Sequence, residues 1–155
     1  MKSDLVSMPA LALGGLLVIG GCATSHPSTA TPSPAATPNS AVSLLANGRS
    51  IFQTGKDLAG VQIGARTKPL FPTCVACHGP NGAGNKHLKG GAVSADLRRA
   101  ALVGAQKHPY TIALLERAIS RGIDNEGKTL DPVMPRWELS KRDLRAVAEY
   151  VATLK

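Results

Sequence analysis

An all-α domain of short helices joined by long loops is the fold class that the sequence predicts for residues 42–155. Apolar residues recur at helical spacing in three segments. Glycine- and proline-rich stretches fill the segments between them. We find no alternating apolar and polar run of useful strand length. A small domain of this kind buries little apolar surface, so we expect something large and apolar at its centre.

The first helix is predicted near the start of this domain. Its apolar face combines residues spaced by three and four positions, and Gly55 lies where a glycine commonly ends a helix. The members of that face are Leu44, Leu45, Gly48, Ile51 and Phe52.

Two more helices follow the central loops. The second is predicted over Pro109–Arg121, because proline suits a first turn and Gly122 ends the pattern. The last is predicted to begin after Ser140, an N-cap residue with Asp143 three positions later. Its apolar stripe consists of Leu144, Val147, Ala148, Val151 and Leu154.

Residues 1–21 are predicted to be an export signal. The apolar run from Met8 to Gly20 is too short and too rich in glycine for a spanning helix. It ends in "VIGGC", which resembles the lipobox of bacterial lipoproteins, and that resemblance implies cleavage before Cys22 and acylation of this residue. The alternative is an ordinary secretory signal followed by a chance cysteine. We expect a protein anchored by lipid to a bacterial membrane, on its periplasmic side.

Residues 22–41 are predicted to be a disordered tether. The segment has no charged side chain and is rich in proline, serine, threonine and alanine. Such residues bury too little apolar surface to offset the entropy of ordering the chain.

Charge and composition limit the classes of partner. The net charge is +8, which favours acidic partners, and aromatic residues make up only 3% of the chain. A protein that stacks nucleic-acid bases needs aromatic side chains on a basic face, so we expect no nucleic-acid binding. We find no nucleophile–base pair or paired carboxylates suited to catalysis, and expect no small-molecule substrate. The acidic residues Asp124, Glu126 and Asp131 are explained by a solvated loop.

The stretch "CVACHG" carries the strongest chemical signal. Cys74, Cys77 and His78 have the spacing of the attachment signal of c-type haem. In that chemistry the two thiols form thioethers with the haem vinyl groups, and the histidine binds the iron. An export signal and a thin core agree with a covalent haem, which we favour.

Three other interpretations of this stretch remain open. A zinc site would need a further ligand, such as His87 or His108. A thiol–disulfide couple would be expected after a strand, and a structural disulfide would close a very small loop.

Met134 is the candidate for the sixth ligand of the iron. Removal of the signal would leave it as the only methionine, and Pro132 and Pro135 restrict its loop. A thioether is a suitable soft ligand. The alternative is a methionine that fills a gap in the core. Arg136 and Trp137 are candidate donors to a haem propionate.

From about Gly48 to its end, the chain resembles the class I c-type cytochromes, and among them the small monohaem bacterial lipoproteins. The resemblance rests on "GRSIF", "CVACHGPNGAG", "RGIDNEGKTLDPVMPRW" and "LSKRDLRAVAEYVATLK". It implies that a glycine on the first helix faces an aromatic residue on the last. Gly48, Phe52, Val147 and Tyr150 hold these positions, so Gly48 should tolerate enlargement badly. The long gap between Phe52 and Cys74 departs from the pattern and suggests an insertion over residues 53–73.

The resemblance implies single-electron transfer by an iron that cycles between Fe(III) and Fe(II), bound by His78 and Met134. Redox proteins with acidic docking surfaces would be the partners, steered by basic residues such as Lys86 and Lys89. An alternative is the haem subunit of an exported oxidoreductase complex of the dehydrogenase type. A further alternative is a sixth position that opens to peroxide or a gas.

Overall fold

The computed structural model describes residues 38–155, and side chains from Ser40 onward. The helices in chain order are α1 (Pro38–Thr54), α2 (Val75–His78), a 3-10 turn (Lys89–Gly91), a π-helix (Ala100–Gly104), α3 (Ile112–Arg121) and α4 (Lys141–Ala152). Strands β1 (Gly64–Ala65) and β2 (Trp137–Glu138) form a two-stranded antiparallel sheet. None of the helices within this described part is long and apolar enough to span a membrane.

Helices α1 and α4 pack against each other and form the largest contact between helices. A Cβ atom on Gly48 would lie 2.0 Å from the backbone oxygen of Ala146, so this contact requires a residue without a side chain. Next to it, the rings of Phe52 and Tyr150 are tilted against each other with centroids 5.5 Å apart. The glycine–aromatic contact that the resemblance implied is therefore present.

The core lies between these two helices and α3. It is a cluster of buried apolar side chains: Ile51, Phe52, Leu102, Leu115, Val147, Ala148, Val151 and Leu154. Among the described residues, the largest completely buried side chains are those of Ile51, Phe52 and Val147, so the packed core is thin for a domain of this size.

Helix α4 begins and α1 ends where the sequence predicts. The Ser140 hydroxyl accepts a hydrogen bond from the Asp143 amide and donates one to the Asp143 carboxylate, which satisfies a free amide of the first turn. At the end of α1, Gly55 has a positive φ, and its amide donates to the Ile51 carbonyl.

Helix α3 begins three residues later than predicted. The Thr111 hydroxyl caps it by accepting from the Leu114 amide. Pro109 and Tyr110 lie outside the helix because the Tyr110 amide donates to the Leu102 carbonyl of the π-helix. At the other end Gly122, in the left-handed conformation, closes the helix as predicted.

Two further features differ from the sequence analysis. Residues 38–41, which the sequence analysis assigned to the tether of residues 22–41, belong to helix α1. The sheet pairs Ala65 with Trp137 and connects the segment of the predicted insertion to the residues after Met134. Its strands are two residues long, too short to produce an alternating pattern.

Candidate functional site

The two cysteines and the histidine of the motif are brought together by one short helical turn. Amides of both Cys77 and His78 donate to the Cys74 carbonyl, at 3.2 and 3.0 Å. This turn is helix α2 with Cys74 at its N-cap. It places Cys74, Cys77 and His78 on the wall of a single cavity. The spacing of the motif therefore serves to direct three side chains into one space.

The cavity has a volume of about 370 Å³ and lies against the thin core. Core residues from α1, α3 and α4 form part of its wall, including Phe52, Leu115 and Val151. Cavities of this size are common for bound organic groups. The large apolar centre that the sequence led us to expect therefore has a place, beside the motif.

His78 is held in one orientation by the chain that follows it. Its Nδ1 atom lies 2.9 Å from the Ala95 carbonyl, so Nδ1 carries the proton and Nε2 keeps its lone pair. Burial lowers the pKa of His78, and the Ala95 carbonyl partly opposes this change. A neutral, oriented imidazole is the form that binds a metal.

The loop that supplies Ala95 is fastened directly to the motif. The Ser94 hydroxyl donates to the Cys77 carbonyl at 2.9 Å and accepts from the Lys86 amide. Ser94 is buried, although the sequence analysis gave it no role. A serine in a glycine-rich loop carries no pattern that marks it as such a link.

The thiols have the properties of neutral groups. Burial raises the pKa of the Cys74 thiol to about 12, against a small lowering by its own backbone. Burial also raises the pKa of Cys77, and the Lys86 ammonium opposes that rise. Neither thiol is in a disulfide. Burial therefore favours the protonated form of both thiols.

A zinc site finds no support. Across residues 38–155, no group of three His, Cys, Asp or Glu side chains is placed to hold a metal ion. His87 and His108 are exposed and are not among the residues that line the cavity.

Met134 lines the same cavity as the motif, although it is distant from the motif in sequence. Its amide donates to the Asp131 carbonyl at 3.1 Å, and the Asp131 carboxylate accepts from the Val133 amide at 2.8 Å. These bonds form a tight turn around Pro132. The loop therefore holds Met134 at the cavity wall, and its role as the sixth ligand stays a prediction.

The two candidate propionate donors are placed differently. Trp137 is buried and lines the cavity, and its indole N–H has no hydrogen-bond partner within the described chain. An unpaired buried donor on a cavity wall fits a group with an anionic or carbonyl oxygen. Arg136 does not line the cavity, and its guanidinium binds backbone carbonyls instead.

The polar residues that line the cavity and that the sequence analysis did not select include Gln106, Tyr110 and Asn125. The Asn125 amide group donates to the His108 carbonyl at 2.5 Å and to Gln106, which fastens this wall. All three lie in or beside loops, where polar residues are common, so no sequence signal distinguishes them.

The predicted insertion covers another side of the motif. Leu70 and Phe71 line a small pocket together with Cys74, Cys77 and Met134. They are 58% and 42% exposed, which is high for large apolar side chains. The segment therefore forms part of the surface beside the cysteines.

Lys86 and Lys89 are both exposed, and the Lys86 ammonium donates to the Ala76 carbonyl of α2. At least one basic side chain is thus held beside the motif. Cys22 lies outside the described residues, so its acylation stays a prediction, as does the boundary at residue 21.

Comparison with known proteins gives one match. The family model described as Cytochrome c matches residues 45–155, which is more than two thirds of the chain. No curated protein and no solved structure matches.

Proposed function

Since this chain belongs to the cytochrome c family, which binds haem c covalently and transfers electrons, we propose that it is a single-haem carrier with the roles that follow. Cys74 and Cys77 are the attachment thiols, and His78 and Met134 are the axial ligands. The observation that supports this assignment best is that all four residues line one cavity beside a thin core.

The haem supplies an iron that gains and loses one electron between Fe(III) and Fe(II). The protein holds the two proposed ligands in place during that change. The Ala95 carbonyl fixes His78, the turn around Pro132 fixes Met134, and the wall of the cavity is largely apolar. Two protein ligands leave no position for a substrate, which favours an electron carrier over an enzyme.

We also infer which surface binds the redox partner. Lys86 is held beside the motif, and Lys89 is exposed in the same loop. With a net charge of +8, this side of the protein is suited to a redox protein with an acidic docking surface.

The attachment is tested by expressing the full chain together with a haem-maturation system. The wild type should give the pyridine haemochrome spectrum of covalent haem, retained after extraction with acid and organic solvent. The variant with Cys74→Ser and Cys77→Ser should lose the haem on extraction. A well-folded wild-type protein without colour would contradict the proposed function.

The same preparation tests the axial ligand. Met134→Ala should abolish the weak sulfur-to-iron charge-transfer band at the red edge of the oxidised spectrum, while the haem stays attached. The reduced variant should also bind carbon monoxide readily. A band of unchanged intensity would remove Met134 from the assignment.

The proposed lipid anchor rests on the sequence "VIGGC", which lies outside the described residues. We propose that the mature protein begins at Cys22, acylated, and is held at the periplasmic side of a bacterial membrane. Cys22→Ser should move the protein from the membrane fraction to the soluble fraction. Cys74→Ser is the control, because it alters a cysteine without altering the signal, and it should stay with the membrane.

A further inference from the structure

We propose that Arg136 is a positioning residue that holds the loop of Met134 closed, so that the thioether stays at its axial position. The inference rests on the proposed role of Met134. The proposed ligands and attachment thiols stay the same, and Arg136 is the residue that keeps Met134 in place.

The guanidinium of Arg136 binds three carbonyls of this one loop. It donates to Leu130 at 2.7 Å, to Asp131 at 3.1 Å, and to Met134 itself. The carbonyls of an irregular loop need donors that a helix or sheet would otherwise supply. One side chain therefore ties the beginning of the loop to the ligand residue.

The start of the loop is also fixed against α3. Gly122 ends that helix, and its carbonyl accepts from the Leu130 amide at 2.8 Å. A Cβ atom on Gly122 would lie 1.9 Å from Nε of Arg136. The guanidinium thus lies in a space that a glycine leaves open, with the end of α3 on one side and the loop on the other.

The backbone of Arg136 is anchored separately from its side chain. Its carbonyl accepts from the Arg66 amide at 3.0 Å, and the next residue, Trp137, pairs with Ala65 in the sheet. Because the sheet holds the main chain at this point, the hydrogen bonds from the Arg136 side chain attach the Met134 loop to a fixed part of the fold.

The arrangement needs an arginine rather than any cation. A guanidinium presents five N–H donors in a planar fork, whereas a lysine ammonium is a compact charge on a flexible stem. Lysine would preserve the charge but could not reach three carbonyls in different directions at once. Replacing Arg136 with lysine therefore distinguishes positioning by hydrogen bonds from an effect of charge alone.

The test uses the haem-loaded full chain with Arg136→Ala, Arg136→Lys and Arg142→Ala. The last is the control, because Arg142 is an exposed arginine on α4 and its loss changes the net charge equally. Carbon monoxide binds the reduced iron only when Met134 leaves it, so its binding rate reports how often the loop opens. Exchange of the Leu130 and Met134 amide hydrogens reports the same opening without the iron.

Both Arg136 variants should bind carbon monoxide about 10- to 100-fold faster than the wild type, since several hydrogen bonds to the loop are lost. Their Leu130 and Met134 amides should exchange faster by a similar factor. Arg142→Ala should match the wild type in each measurement.

The positioning role is overturned if Arg136→Lys matches the wild type, because charge alone would then suffice, or if Arg136→Ala leaves both rates unchanged. Should Arg136→Ala fail to fold, Arg136→Lys decides. Met134→Ala separates the two proposals. If it keeps the charge-transfer band and slow carbon monoxide binding, the ligand assignment fails as well. If it loses them while the Arg136 variants behave as wild type, only the positioning role fails.

Discussion

Gly48 shows how the lack of one side chain sets the packing of the domain. It lies where α1 meets α4, and any Cβ atom there would overlap the backbone at Ala146 and the Cβ of Tyr150. Backbone atoms cannot move aside without displacing the helix. The contact between the two helices therefore depends on this glycine.

Gly48→Ala should lower the free energy of unfolding of the haem-loaded protein by about 1–3 kcal/mol, the usual cost of overpacking. Alanine is otherwise the better helix residue, so a loss of stability would come from the contact. Gly104→Ala is the matched control, because a Cβ atom there meets nothing within 4 Å. Denaturant titration should leave that control unchanged or more stable by up to about 1 kcal/mol.

At this scale the sequence predicts roles for the residues that carry a chemical signature. Cys74, Cys77 and His78 follow from their spacing, and Met134 from being the only methionine after the predicted signal. The contacts of Arg136 were not predictable, because its acceptors are backbone carbonyls, which every residue has. The sequence analysis selected Arg136 as a donor to a haem propionate, whereas its guanidinium donates to backbone carbonyls.

At the scale of elements, one buried polar contact joins both ends of the domain. Asn47 of α1 donates to the Asp143 carboxylate of α4 at 2.8 Å and accepts from the Leu58 amide at 2.8 Å. The same carboxylate accepts from Ser140, the cap of α4. The start of the last helix is thus coupled to the first helix and to the loop that follows it.

Asn47→Ala should lower the free energy of unfolding by about 1–3 kcal/mol, because the Leu58 amide loses its acceptor. Combined with Asp143→Ala in a double-mutant cycle, it should show a coupling of at least about 0.5 kcal/mol. Glu149→Ala is the control partner, since Glu149 lies on α4 but pairs with Arg145. A coupling with Glu149 as large as that with Asp143 would contradict the direct contact.

The helices that the sequence placed best are those with local end signals. Ser140 and Gly122 act through neighbouring residues, so their effect can be derived from sequence alone. The start of α3 was misplaced because a long-range bond to the π-helix holds Tyr110 outside it. The two-residue sheet depends entirely on tertiary contact, and so no local pattern predicts it.

At the scale of the whole molecule, a thin core and a cavity of about 370 Å³ belong together. The sequence predicted a missing centre, because a small domain of short helices and long loops buries little apolar surface. It could not show which loops surround that centre. The path of residues 53–73 past the cysteines follows from pairing with Trp137, which only the folded chain shows.

The charge of the molecule leads to a prediction about rate. Electron transfer to an acidic redox protein should slow about tenfold or more as ionic strength rises from about 0.01 to 0.15 M, because salt screens the attraction that steers the encounter. Stopped-flow mixing measures this directly. Transfer from an uncharged small reductant is the control and should hardly change. Equal salt dependence for both would contradict steering.

The pairing of α1 with α4 has a consequence for the order in which the molecule is completed. In the export that we propose, α1 crosses the membrane before α4, so the first helix arrives before its main packing partner. The wall that α4 contributes around Val147 and Val151 is missing for the same period. Until α4 packs against α1, Cys74 and Cys77 lie on a cavity that lacks one wall, and this leaves both thiols accessible to the enzyme that would attach the haem.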